Sequence, residues 1–422
     1  MDKNWYRLDT AALIFPAIAR RDWCNVFRLS ATLSEPIDPI ILQQAADDLR
    51  PRFPSLYVTL HRGVFWYYLE GSRRPVTVRE DYAYPLTFMG SRELRQNCLR
   101  VLYYRSRIAV EFFHSLTDGR GGSIYLLSLV ARYLELRYGI SVPRDESILS
   151  PDEPPRAEEL EDSFLKNAAE VAAGRREAYS YRLHGTKETR GFRHLTTGIV
   201  DTRELLNAAR SRKVSVTAFL AAVMAKSVME IQELERPRRR QKPVKITIPV
   251  DLRRLFDSRT LRNFSLVLNV GADPRYGDYS IDELCRTIYH QLNAGATPQN
   301  MAGMIAANVQ PQQMTVLRLA PVFLKNTVMD GIYRASERCG SLNLSNLSVL
   351  TLPPVMQPYV ERMEFIIGPQ RSYPNNCSVL SCGGKTYINM IRSIRESELE
   401  RRFFSRLVEL GIAVSIESNG SK

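Results

Sequence analysis

The stretch Ile108-Ala109-Val110-Glu111-Phe112-Phe113-His114-Ser115-Leu116-Thr117-Asp118-Gly119-Arg120-Gly121-Gly122 runs from an apolar strand through a histidine into a glycine-rich bend. Side chains alternate along a strand, so Ile108, Val110, Phe112 and His114 share one face and the imidazole emerges at its end. Asp118, four residues on, is placed to fix the turn through hydrogen bonds or a salt bridge. Gly119 leaves room, and a bare N–H, next to the ring. A proton acceptor near neutral pH beside an uncrowded cavity is what attack of an alcohol or amine on a thioester requires. The spacing alone is equally met by a core histidine at a strand end, with Asp118 capping the following helix.

Working outward, Cys98 to Tyr104 and Arg107 to His114 read as an antiparallel pair, and Val58-Thr59-Leu60 with Phe65 to Leu69 as a hairpin around Arg62-Gly63. Ile40 to Leu49 is helical in pattern. Ser123 to Tyr138 carries the stripe Ile124, Leu127, Val130 or Ala131, and Leu134, with Gly139 at the C′ position. Residues 141–163, with four prolines and many acidic residues, read as a crossover linker, followed by a helical stretch at 164–178. The second half starts again with a strand at 196–200 and a helix at 202–211. A further helix capped by Ser215 carries the core stripe Val216, Phe219, Leu220, Val223 and Met224. Strands are expected at 244–250, 264–270 and 347–352, and a hairpin at 378–391 across Gly383-Gly384. Ser397 to Glu400 has the spacing of a capping box opening the last helix. The class is α+β, with two lobes, 1–175 carrying the histidine motif and 176–422.

The chain of 422 residues is long enough for two cores, and 44% hydrophobic with 24% charged residues is ordinary for a globular protein. No apolar run reaches the ~18 residues that span a bilayer, and Met1-Asp2-Lys3-Asn4 lacks a signal-peptide profile. The cysteines at 24, 98, 285, 339, 377 and 382 form no paired motif, so reduced thiols in a cytoplasmic protein are expected, with no metal site. A net charge of +13 favours anionic partners: coenzyme A, anionic lipid, or an acidic carrier protein. The sharpest basic run, Arg236 to Lys242, is not interleaved with aromatics, and no nucleic-acid-binding signature accompanies it, so nucleic acid is not an expected partner. No phosphate loop, dinucleotide fingerprint, nucleophile elbow or zinc-protease motif is present. His61, His184, His194 and His290 stand in no partner pattern and read as surface or structural residues.

With its strand before and glycine-rich start after, His114-Ser115-Leu116-Thr117-Asp118-Gly119 resembles the HxxxDG motif of the chloramphenicol acetyltransferase-like superfamily. Its members include alcohol acyltransferases, plant-type acyltransferases and peptide-synthetase condensation domains. Other landmarks extend the resemblance, towards bacterial alcohol acetyltransferase-like proteins in particular. They are Trp5-Tyr6-Arg7-Leu8-Asp9 with Ala11 to Pro16, Arg52-Phe53-Pro54-Ser55-Leu56, and Gly63 to Leu69. Later come Glu161 to Phe164, Pro249 to Arg254, Arg262-Asn263-Phe264 and Ser345-Asn346-Leu347-Ser348. Together they cover nearly the whole chain. Departures are Phe113 in place of a first histidine, Tyr57 where condensation domains often carry the aspartate's arginine partner, and Ser348 in place of glycine. The terminal motif of the plant enzymes is absent.

The resemblance implies two chloramphenicol acetyltransferase-like lobes, each a mixed sheet with flanking helices, in a V-shaped pseudo-dimer around a central channel. It implies direct acyl transfer from an acyl-CoA to an alcohol with His114 as general base, Asp118 shaping the loop, and no acyl-enzyme. No bound cofactor is implied; the coenzyme A thioester is substrate. Ser345, Asn346 and the N–H of Gly119 are the candidate polar groups facing the imidazole across the channel. A carrier-protein-bound donor (acyl or peptidyl), an amine acceptor, or a silent acyl-ligand or partner-binding scaffold are the alternatives. Met301, Met304, Met314 and Leu317 within 295–325 are candidate pocket residues, against ordinary helix packing.

Overall fold

A computed structural model describes residues 5–20, 23, 25–174, 177–189 and 192–420; Cys24 lies outside them. Fifteen strands among the described residues form three sheets. The motif strand Arg107–Phe113 pairs antiparallel with Leu99–Tyr104 on one side and Val26–Leu33 on the other, inside a five-stranded sheet. Its outer strand beyond Val26–Leu33 is Val360–Ile367, from the second half of the chain. A seven-stranded sheet holds Leu342–Val349 between Val244–Asp251 and Asn375–Cys382, parallel to both. Its hairpin Asn375–Cys382/Lys385–Arg392 turns at Gly383 and Gly384, whose φ of 57° and 79° only glycine adopts freely. A small sheet joins Trp5–Arg7, Tyr67–Gly71 and Val58–Arg62. This is an α+β molecule, the class the sequence led us to expect, with two large mixed sheets.

Each large sheet covers a long helix. Gly119–Tyr138 packs Ile124, Leu127, Val130 and Leu134 against Phe27, Leu29, Val110 and Phe112. Val216–Glu235 packs Phe219, Leu220, Val223 and Met224 against Val244, Ile246, Val379 and Ile388. Ser215 caps that helix through a hydrogen bond from the Ala218 N–H, as its position implied.

Three local expectations fail. Among its described residues the stretch 164–178 is helical only over Ser163–Lys166. Beyond it the backbone runs beside the helix Pro298–Gln313, Ala169 and Ala173 N–H donating to the carbonyls of Ala302 and Gly303, a tertiary pairing that outcompetes local helix formation. The strand expected at 347–352 is Leu342–Val349, because Leu342 and Leu344 are the residues buried in the second core. Ser345 and Asn346 therefore stand towards its end, not its start. No capping box forms at Ser397: its backbone is not extended, and the Glu400 carboxylate instead accepts from buried Arg392 at 3.0 Å. The segment 141–163 holds only the short 3-10 turn Ala157–Leu160, and Arg238–Arg240 is an exposed 3-10 turn.

Candidate active site

His114 follows the last residue of the motif strand, its N–H donating to the Asn25 carbonyl at 2.8 Å. The imidazole is half-buried, stacked on Phe15 (ring centroids 4.3 Å apart) and edge-on to Phe27 (5.1 Å). Nδ1 lies 3.2 Å from Asn263 Oδ1. The Asn263 amide is oriented by its other end, where Nδ2 donates to Asp9 Oδ2 at 3.2 Å. An amide oxygen only accepts, so the proton sits on Nδ1 and Nε2 keeps its lone pair. Nε2 has no side-chain partner among the described residues. Burial lowers the imidazole pKa below its usual range, outweighing its own backbone carbonyl, the Asp118 charge and Asn263, so the ring is neutral at pH 7.

Asp118 is buried and does two things with one carboxylate. Oδ1 accepts from the Arg120 and Gly121 N–H groups (both 3.2 Å), capping the helix Gly119–Tyr138. The same carboxylate takes a two-pronged salt bridge from Arg253, Nη1 to Oδ2 and Nη2 to Oδ1, both 3.0 Å, and Oδ2 accepts the Phe264 N–H at 2.9 Å. Burial opposes the charge, but Arg253 and these N–H donors hold its pKa below the usual carboxylate value. The arginine partner missing at Tyr57 is thus supplied by Arg253. Tyr57 instead donates to the Ala46 carbonyl (2.5 Å) and meets Tyr125 OH at 2.7 Å.

Three successive residues, Arg262-Asn263-Phe264, serve three different groups. The Arg262 guanidinium lies 3.7 Å from Asp9, Asn263 links Asp9 to His114, and the Phe264 N–H reaches Asp118. Asp9, fully buried, also accepts the Ala12 N–H (2.7 Å); desolvation, against the pull of Arg262, pushes its pKa up to about 6. The tripeptide is anchored in turn. Leu261 donates its N–H to the Glu159 carbonyl (2.9 Å) and accepts from Thr117 Oγ1 (2.6 Å). Glu159 is gripped by buried Arg52, at 2.5 and 2.7 Å. Asp162 accepts both the N–H and the hydroxyl of Thr10 (2.9 and 3.0 Å). The scattered landmarks of the sequence therefore converge on one polar scaffold around the imidazole. Asn263 stood among them with no role; only its contacts give it one.

Gly119 opens the helix against the second half of the chain: a Cβ there would lie 2.6 Å from Leu347 Cδ2. At Gly121 a Cβ would lie 2.2 Å from both the Leu261 carbonyl oxygen and Thr117 Oγ1. Ser345 and Asn346 lie on the strand that leads into Leu347, where the ladder with Asn375–Cys382 shifts register. The Asn346 amide is committed locally: Nδ2 donates to Thr217 Oγ1 (3.1 Å) and Oδ1 accepts the Ser348 N–H (2.7 Å). That turn holds Ser348 at φ 64°, the left-handed conformation that a glycine would adopt freely. Met301 packs with Phe164, Phe264 and Ile305 in a small core that Met304 flanks, and Met314 is exposed, so the first two methionines follow the helix-packing reading. A cavity of about 410 Å³ lies elsewhere, between Arg28, Arg107 and Glu364 on the sheet face opposite Phe27, and Phe192 and Leu195. Among the described residues no cluster of His, Cys, Asp and Glu could hold a metal ion, and the five described cysteines are unpaired.

No family model and no curated protein matches the chain. Solved structures do. TRI101 of Fusarium sporotrichioides, complexed with coenzyme A and T-2, superposes with a TM-score of 0.63 at 9% identity, covering 99% of this chain and 100% of that one. The starter condensation domain of rhizomide synthetase, complexed with C8-CoA and Leu-SNAC, gives 0.61 at 12% identity over 96% and 94%. Polyketide synthase associated protein 5 from Mycobacterium tuberculosis gives 0.58 at 16% identity over 96% of both chains. The chain shares the fold of these proteins over 96–99% of its length.

Proposed function

We propose that this protein is an acyltransferase that moves an acyl group from a coenzyme A thioester to an alcohol, with His114 as general base. The observation that carries the reading is the Asp9–Asn263–His114 chain of hydrogen bonds, which leaves Nε2 as the basic nitrogen of a neutral, desolvated ring. Nε2 removes the proton of the acceptor hydroxyl as its oxygen bonds to the thioester carbonyl carbon. The carbon–sulfur bond of the resulting tetrahedral adduct then breaks, and the imidazolium returns the proton to the departing thiolate, so no acyl-enzyme forms. The Gly119 N–H, with Ser345 and Asn346 as further candidates, is assigned to the developing oxyanion. Asp118 shapes the loop without touching substrate. The lobes are taken as 1–175 and 176–422 with the crossover at about 141–163, the base coming from the first.

Coenzyme A in the TRI101 complex and C8-CoA in the condensation-domain complex support a coenzyme A donor. The +13 charge supports an acidic carrier protein as well as it supports coenzyme A phosphates. The test is free-thiol release from a panel of acyl-CoAs, with and without small alcohols and amines. Release that requires an alcohol is expected. Transfer seen only from an acyl-loaded carrier protein, or only to amines, would replace the donor or the acceptor, and silence with every donor would overturn the enzyme reading in favour of a binding scaffold.

A further inference from the structure

The helix Val322–Glu337 is amphipathic the wrong way round. Its protein side is fixed by buried Val322, by Asn326 Nδ2 donating to Tyr67 OH (2.9 Å), and by Tyr333 stacked on Trp23 (5.0 Å). Its outer face carries Phe323, Val328 and Ile332, each more than half exposed (57%, 53% and 58%), with Thr327, Gly331 and Ala335 between them. A surface helix that must only meet water carries polar residues there. The apolar surface continues into exposed Val316 and Leu319 on the preceding short helix Thr315–Leu319. It also continues into the hairpin loop Val64-Phe65-Trp66, which is tied on by the Val322 N–H to the Val64 carbonyl (2.8 Å) and Lys325 Nζ to the Phe65 carbonyl (2.6 Å).

Two further observations say what covers this surface. Of the chain's three tryptophans, Trp66 is half exposed on it and Trp23 packs beneath it. The remaining exposed charges around it are cationic: Arg62, Arg318 and Arg338. Of the acidic residues on this helix, Glu337 is buried and Asp330 is neutralised by Arg20, Arg334 and Arg371. A half-exposed indole and aliphatic side chains within a basic rim match the headgroup zone of an anionic bilayer, where the ring and the charge are both satisfied. Among the described residues no single helix is long and apolar enough to cross a membrane.

We propose that this face, built from the outer side of Val322–Glu337, the Thr315–Leu319 helix and the Val64–Trp66 loop, docks the protein on anionic lipid surfaces. The short helix Ile14–Ile18 packs between this element and the imidazole, Phe15 lying against His114, so docking sets the membrane beside the site. Binding is independent of the chemistry at His114, and its test reads binding alone. The full-length protein is floated with phosphatidylcholine vesicles with and without phosphatidylglycerol, and tryptophan emission is recorded. Flotation with the anionic vesicles only, weakened by salt, with a blue shift from Trp66, is expected. Val328→Asp/Ile332→Asp replaces exposed residues, keeps the thermal melt, and weakens binding by about tenfold per substitution. No flotation with either vesicle, equal binding to the neutral one, or undiminished binding by the double variant each overturns the proposal. So does self-association that the double variant abolishes while vesicles remain unbound, which would make a second copy the occupant.

Discussion

Replacing Arg253 by methionine keeps the length of the side chain and removes both prongs on Asp118. The carboxylate is then left buried with backbone donors only: Phe264 at 2.9 Å, Arg120 and Gly121 at 3.2 Å. Removing one partner of a buried pair costs about 3–5 kcal/mol because the remaining charge is uncompensated. The Arg253 contacts to Asp251 (2.9 Å) and to the carbonyls of Thr260 (2.8 Å) and Arg262 (2.6 Å) go too, which puts Arg253→Met at the upper end of that range. The pH dependence is the more searching readout. In the wild type the Asp118 pKa is held below its unfolded value, so the stability it contributes is fully present above that value and is lost as pH falls through the folded pKa. In the variant the charge of Arg253 no longer offsets burial, and the folded pKa rises above its wild-type value. The deficit should therefore be largest at neutral pH and shrink as pH falls through the variant's raised pKa, where its carboxyl takes up a proton. Urea denaturation of both proteins across that range measures it. A variant with the wild-type midpoint, or with a deficit independent of pH, would refute the assignment of Arg253 as the partner that holds Asp118.

Asn263→Ala removes the acceptor that keeps the proton on Nδ1, so kcat should fall by about tenfold or more with KM little changed, as befits a residue that positions the base; a change confined to KM would contradict that role. Gly121→Ala drives a Cβ into the backbone of Leu261 and should cost about 3 kcal/mol or more. Gly119→Ala meets only the movable end of Leu347 and should be milder, with Leu347→Ala restoring it; equal costs at the two glycines would count against this packing. Because burial lowers the His114 pKa, the acid limb of kcat/KM should lie below the ordinary imidazole value of 6.5, and a limb above that value would contradict the desolvated base.

Local chemistry made much of this molecule legible in its sequence. Ser215 as a cap, the stripe of Gly119–Tyr138 and the Gly383-Gly384 turn depend on neighbours a few residues away, and each is where its pattern places it. Interactions between distant segments were not legible. The strand Val360–Ile367 carries no signal that it will leave its own half and pair with Val26–Leu33. The helical pattern after Phe164 loses to backbone pairing with Pro298–Gln313, and the spacing of Ser397 and Glu400 loses to Arg392. At the site, His114 and Asp118 announce themselves because a histidine and an aspartate four residues apart sit on one strand–helix junction. Arg253 and Asn263 lie 135 and 149 residues from the groups they hold, a relation that one-dimensional spacing cannot express.

The central claim is that Nε2 of His114 accepts the acceptor's proton. It is tested most directly by the acceptor-dependent rate of acyl transfer in His114→Ala, measured beside the wild type with a donor the wild type uses and with thermal melts to establish folding. Loss of a general base lowers the rate by about 10²–10⁴-fold, and the half-buried ring leaves the fold intact, so a near-silent variant with an unchanged melt is the result the account predicts. A folded His114→Ala protein that turns over at the wild-type rate would contradict it.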